Sequence, residues 1–175
     1  SFEITQPTFR DAEIPNYENR DPAPKFQLPL SPEESMKLVQ VPVGFELQLF
    51  ASEPDIVNPM AMCWDEKGRL YVIETQDYPN EVRTEGGNDR IKILEDTDGD
   101  GKADKITVFA DGLNIPTSIM AMNGGILISM APDFIFLKDT DGDDKADVRE
   151  VIMTGWGKSD THAGPSNLKY GFDNK

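Results

Sequence analysis

Two stretches of the chain carry the same acidic pattern, LEDTDGDGKADKI at 94–106 and LKDTDGDDKADVR at 137–149. In the first, Asp96, Asp98, Asp100 and Asp104 stand at positions 1, 3, 5 and 9 of a loop, and Lys102 offers a carbonyl at position 7. The second offers Asp139, Asp141, Asp143 and Asp147, with the Lys145 carbonyl at position 7. Carboxylates this close repel one another unless a cation sits among them. Calcium loops gather roughly six to eight oxygens at ~2.3–2.6 Å from alternate residues of a tight turn. Position 6 of such a loop needs a positive φ, which Gly101 supplies; the second copy has Asp144 there, which enters that region less easily. Magnesium suits the pattern less, because it prefers few carboxylates and keeps several waters. The alternative is a plain Asp/Gly turn held by Asx bonds.

Measured against a helix–loop–helix calcium site, each copy departs once. The first has Thr107 where a bidentate Glu belongs; the second has Glu150 there, a further ligand, but lacks the glycine. The flanks IKIL and ITVF, then FIFL and REVIM, are rich in β-branched and aromatic residues, so both loops join strands. They resemble the calcium-binding hairpins of integrin-type propellers. Exposed extracellular sites of this kind bind at roughly 10⁻⁴–10⁻³ M, a calcium level a cytosol does not supply. The expected location is therefore periplasmic or extracellular.

The strands that would hold these loops repeat as well. From Gly44 onward FELQLF, RLYVIE, RIKIL, KITVF, GILISM, DFIFL and REVIM are separated by the turns DEKG, DGDG, MNGG and DGDD. Pro59, Pro116 and Pro165 mark successive starts of one larger unit, with QDYPNEVRTEGGND inserted in the first. Four strands recurring at ~40–50 residues indicate a β-propeller blade. The fold class expected is all-β: a partial propeller of about two four-stranded blades plus the start of a third, over 44–175. A β-sandwich with similar hairpins is the alternative. Because a ring takes at least about four blades, the sequence reads as the N-terminal portion of a longer protein, whose remaining blades or another chain would be its partner. Residues 1–43 hold seven of the thirteen prolines and read as an extended arm, with a short helix near 32–39 capped by Ser31 and opened by Pro32.

Composition narrows the partners. Against 32 acidic residues stand 17 basic ones, a formal charge of −15 that argues against binding nucleic acid. A hydrophobic content of 38% suffices for a core. No run reaches the ~18 apolar residues of a transmembrane helix, so any membrane association is expected from parts beyond this sequence. Cys63, the one cysteine, sits in MAMCW and reads as a buried free thiol.

VPVGFELQLFASEPDIVNPMAMCWDEKGRLYVIETQDYPN, GGNDRIKILEDTDGDGKADKITVFADGL and DTHAGPSNLKYGFD, in this order, resemble the sugar (glucose/sorbosone) dehydrogenase-like propeller at the front of large membrane-bound dehydrogenases predicted from environmental bacteria. The resemblance spans about residues 31–175. It implies an oxidoreductase acting on a sugar or alcohol, with pyrroloquinoline quinone (PQQ) as cofactor in the full-length protein. Relatives often continue into a haem domain marked by CxxCH; that motif is absent here, so haem is not supported. In related quinoproteins a histidine base precedes a strand and a GPDG turn. His162 precedes SNLKYGFDN in the same way, although GPDG has become GFDN. The resemblance thus makes His162 the catalytic candidate, with Asp160 orienting it or binding quinone or substrate. Glu74, Gln76, Asp77 and Arg83 follow an inner strand and are expected to line the same face, as cofactor-binding residues or as a solvated loop. The alternative function is a calcium-stabilised propeller that recognises a glycan or protein without redox chemistry. In that case His162 is an ordinary loop histidine.

Overall fold

The computed structural model describes residues 29–173, so most of the expected Pro-rich arm lies outside the described residues. The chain divides into two units between Leu38 and Val39. In the first, helix α1 (Pro32–Met36) opens with the expected capping box: Ser31 Oγ accepts from Glu34 N, and Glu34 Oε2 accepts from Ser31 N, both at 3.2 Å. No residue of α1 is buried, so its cap must hold it with no packing to extend it, and it stops short of residue 39.

The second unit is all-β. Strands β1 (Pro59–Trp64), β2 (Leu70–Glu74), β3 (Asp89–Glu95) and β4 (Lys105–Leu113) form one antiparallel sheet in chain order. Strands β5 (Ser118–Met122), β6 (Gly125–Met130), β7 (Asp133–Lys138) and β8 (Val148–Thr154) repeat that order in a second sheet. Neither sheet closes into a barrel. Turn chemistry sets the registers. Asn123 and Gly124 both take positive φ (51° and 67°), the type I′ geometry that matches strand twist, and place Met122 opposite Gly125. At the β1–β2 turn Asp65 Oδ1 accepts from Lys67 N at 3.0 Å and Arg69 N at 2.9 Å.

The core lies between the sheets. Tyr71, Ile73, Ile91 and Ile93 of the first pack with Ile119, Ile126, Ile128, Ile135 and Leu137 of the second. Each such side chain contributes about 1.5–3 kcal/mol on leaving water. The opposite face of the first sheet carries Leu70, Val72 and Leu94, which Phe50, Ala51 and Ile56 cover. With both faces covered, every residue of β2 is buried, which explains the unbroken apolar run in LYVI.

Two segments expected to be strands are not. FELQLF, at 45–50, joins neither sheet; only the Phe50 carbonyl reaches another element, accepting from Ala103 N at 2.9 Å. SNLKYGFD forms no strand either; instead Leu168 N donates to Ser118 Oγ at 2.9 Å and Tyr170 Oη donates to the Ala121 carbonyl at 3.0 Å. Alternating side chains are not enough for a strand, which also needs a neighbour for its backbone groups.

Candidate functional site

Both Asp-rich loops connect the third and fourth strands of their sheets, at 96–104 and 139–147. The first aspartate of each acts as a hub for backbone amides. Asp96 accepts from Gly99 N at 2.7 Å, Asp100 N at 3.2 Å and Gly101 N at 2.9 Å. Asp139 accepts from Gly142 N at 2.7 Å, Asp141 N at 3.1 Å and Asp144 N at 2.9 Å. These amides, led by Gly101 and Gly142 respectively, hold both carboxyls below the ordinary Asp range. The last aspartates, Asp104 and Asp147, accept from the amides and hydroxyls of Thr97 and Thr140. Carboxylate oxygens of Asp96, Asp98 and Asp104 consequently lie within 4.8 Å of one another, as do those of Asp139, Asp141 and Asp147. This is an all-oxygen donor set, the kind a hard divalent cation takes. Asp100 and Asp143 fall outside these groups and accept from Lys102 N at 2.8 Å and Lys145 N at 2.9 Å. Glu150 lies exposed in β8 opposite Phe136, also outside the group.

Position 6 is left-handed in both loops, at φ 87° for Gly101 and 64° for Asp144. The reason for an aspartate there is its side chain. Asp144 accepts from Arg69 Nη1 at 2.7 Å and Lys105 Nζ at 2.8 Å, tying the second loop to the first sheet. Lys105 foremost, then Arg69, outweighs burial and keeps its carboxyl low.

The residues expected to line a cofactor face are divided. Glu74 is buried, with Oε1 accepting from Val57 N at 2.7 Å and Lys92 Nζ at 2.9 Å, and Oε2 accepting from Arg90 Nε at 2.5 Å. Asp77 is buried too, taking Asn88 N and Asn88 Nδ2 at 2.9 Å and Asn114 Nδ2 at 2.8 Å. Burial would raise both carboxyls, but these donors outweigh it and hold both below their usual range. Arg83 pairs with Glu81 and reaches Asp77 Oδ1 at 3.4 Å, while Gln76 is exposed. A quinone with several carboxylates needs free cations. Among these four residues only Arg83 is cationic and it is already paired, so they do not fit PQQ.

His162 lies against the same insertion. Its Nδ1 is 3.5 Å from Asp160 Oδ1, its ring stands edge-on to Tyr78 at 5.6 Å between centroids, and its side chain is 68% exposed. Thr161 Oγ1 donates to the Pro79 carbonyl at 2.9 Å, fixing this loop on the insertion. A cavity of about 30 Å³ lies beneath, lined in part by Val82, Asn114, Asp160 and Thr161.

The profile of a family described as a domain of unknown function, DUF7133, matches residues 31–175. The chain belongs to the DUF7133 family. No curated protein and no solved structure matches it.

Asp89, which the sequence did not single out, does most to shape the site of this DUF7133 domain. Fully buried, it accepts from Gln76 N at 2.6 Å, Asp77 N at 2.9 Å, Thr75 Oγ1 at 3.0 Å and Ile115 N at 2.7 Å. Ile115 has φ 52°, costly for a β-branched residue, and the bond from its amide helps hold it there. Asp89 thereby joins the start of the insertion to the β4–β5 connection. Elsewhere in the DUF7133 domain, Met62, Trp64 and Tyr170 line an open groove of about 700 Å³ between β1, β5 and residues 167–170. Cys63 lies in that groove, half-buried, with its thiol pushed up to about 11 chiefly by burial. It is therefore protonated and unreactive at neutral pH.

Proposed function

We propose that this chain supplies two blades of a calcium-stabilised β-propeller of the sugar or alcohol dehydrogenase type, in a compartment outside the cytosol. The observation that carries the reading is the pair of aspartate triads, each with oxygens within 4.8 Å, at the same hairpin of two sheets with the same strand order. Asp96, Asp98 and Asp104 would hold one calcium, and Asp139, Asp141 and Asp147 the other, with the carbonyls of Lys102 and Lys145 as further donors. The metal would neutralise the clustered carboxylates and fix each hairpin.

His162 is the base of the proposed reaction. An exposed imidazole with Nδ1 beside Asp160 leaves Nε2 free to take the proton of a substrate hydroxyl. The hydride released with that proton would pass to an electron acceptor bound by other blades of the ring, since the described residues build no site for one. In the polypeptide that completes the ring, His162→Gln lowers turnover by about 10²–10⁴-fold and leaves thermal unfolding unchanged. Turnover equal to that of the parent protein would remove His162 from the reaction.

One observation favours the second reading, a propeller that binds a glycan or protein without redox chemistry. Glu74 and Asp77 are engaged internally, whereas Trp64 and Tyr170 stand half-exposed over the open groove. Aromatic faces of this kind suit a sugar ring or an apolar side chain. Turnover unaffected by His162→Gln, together with ligand binding lost on Trp64→Ala, supports that reading over the first.

A further inference from the structure

The loop that carries His162 is tied at both ends to the second sheet and its connections. Gly155 N and Trp156 N donate to the Pro132 carbonyl at 2.9 and 3.2 Å. At the other end the Pro165 carbonyl accepts from Thr117 Oγ1 and Ser129 Oγ, both at 2.5 Å. Residues 157–164, between these anchors, form no strand. Within that span, each hydrogen bond that leaves the loop among the described residues ends on the insertion between β2 and β3. Thr161 Oγ1 donates to the Pro79 carbonyl at 2.9 Å, and Lys158 Nζ to the Arg83 carbonyl at 3.5 Å. The imidazole has no burial of its own to hold it. Its neighbour Asp160 has a side chain 63% exposed, and an exposed pair of this kind restrains little. The half-buried Tyr78 ring is the firmer surface beside it.

A catalytic group is placed only as well as the residues it leans on. The insertion is long, yet it is bonded to the core at close intervals. Tyr78 N donates to Thr75 Oγ1 at 3.2 Å, and that hydroxyl donates to the buried Asp89 at 3.0 Å. Asn80 N and Glu81 N donate to the Asp77 carbonyl at 3.1 and 2.9 Å. Asn114, in the β4–β5 connection, clamps the far side. Its Nδ2 donates to Asp77 Oδ2 and to the Glu81 carbonyl, both at 2.8 Å, and its Oδ1 accepts from Arg83 N at 2.9 Å. Burying two carboxylates is costly unless they are bonded in this way. The result is a rigid seat for Tyr78 and Pro79.

We propose that the insertion, residues 75–88, is the positioning device of His162, with Tyr78 and Thr161 as its positioning residues. Tyr78 orients the imidazole, and Thr161 holds the loop against the Pro79 carbonyl. The inference rests on the reading of His162 as the base. It also gives the buried Asp89 a part in that reaction, because the route from the core to the imidazole runs through Asp89, Thr75 and Tyr78. A displacement of about 1 Å at a reacting group costs roughly 10²-fold in rate.

His162 is the one histidine of the chain, so its two carbon-bound ring protons can be assigned directly by proton NMR. The ring current of Tyr78 displaces both resonances. In the whole chain, Tyr78→Leu should move them to the positions of an unstructured histidine peptide at the same pH. Tyr78→Phe should leave them near those of the parent, because the ring and not the hydroxyl makes the contact. Resonances that stay in place in Tyr78→Leu overturn the proposal. Thr161→Val repeats the test if the leucine variant folds poorly, with Thr161→Ser as its rescue. A second arm reads the reaction in the polypeptide that completes the ring, with glucose as substrate and a reducible dye as electron acceptor. There Tyr78→Leu should lower kcat by about 10–10²-fold at nearly constant KM, and Tyr78→Phe should restore it. A kcat unmoved by Tyr78→Leu but lost in His162→Gln overturns the positioning role and leaves the reaction standing. Turnover equal to that of the parent in all these variants removes the reaction, and the proposal falls with it.

Discussion

Asp77 and Asp89 are two buried carboxylates twelve residues apart in one insertion, and their partners determine what each can do. Every hydrogen-bond partner of Asp89 among the described residues is a donor, three of them backbone amides. Asp89→Asn turns an amide NH₂ toward those donors, so at least one is left buried and unpaired. We expect a loss of about 2–4 kcal/mol in urea unfolding. We also expect faster exchange at Gln76 and Ile115, whose amides lose their acceptor. Unchanged stability would mean that the carboxylate is not what holds this corner. Nothing in the sequence marked Asp89, because its role depends on the Thr75 hydroxyl and on amides brought in from residues 76, 77 and 115, and no local spacing encodes that. Asp77 was legible as a polar residue of a long insertion, but not as an internal one. Which of two neighbouring acids turns inward is decided by tertiary contacts.

At the scale of elements, the hairpin loops were the most legible feature. Asp and Gly at fixed offsets specify the backbone directly: Gly99 and Gly142 take φ of 81° and 86°, and position 6 is left-handed in both copies. The residue that departs from the pattern, Asp144, was legible only as a weakness. Its ion pairs with Arg69 and Lys105 come from another sheet and leave no local trace. Comparing two substitutions separates the backbone effect from the ionic one. Asp144→Gly and Asp144→Ala delete the same pairs, but only Ala keeps the strain of a positive φ. The Ala variant should therefore melt lower, by the equivalent of about 1–2 kcal/mol. Equal melting temperatures would show that the left-handed conformation carries no strain here. FELQLF and SNLKYGFD failed as strands for a complementary reason. Alternation records which side chains face a core, whereas pairing depends on a neighbour that a short window of sequence does not contain.

For the molecule as a whole, two sheets with one strand order and one loop pattern were readable from the repeat of Pro-led units and Asp-rich turns. The contact between the sheets was not readable in detail, since it is assembled from isoleucines and leucines that any β-protein would use. The central claim is that the clustered carboxylates are a metal device and not merely turn chemistry. A cation that binds the folded loops and not the unfolded chain must raise stability with its concentration. The most direct measurement is thermal unfolding of protein stripped of metal, recorded with millimolar calcium, with millimolar magnesium and with chelator. The parent chain, Asp96→Ala, Asp139→Ala and the double variant are compared. The account predicts a melting temperature that rises with calcium and little with magnesium, a smaller rise in each single variant, and none in the double variant. A parent melting curve indifferent to calcium, or a double variant that responds as the parent does, would contradict it.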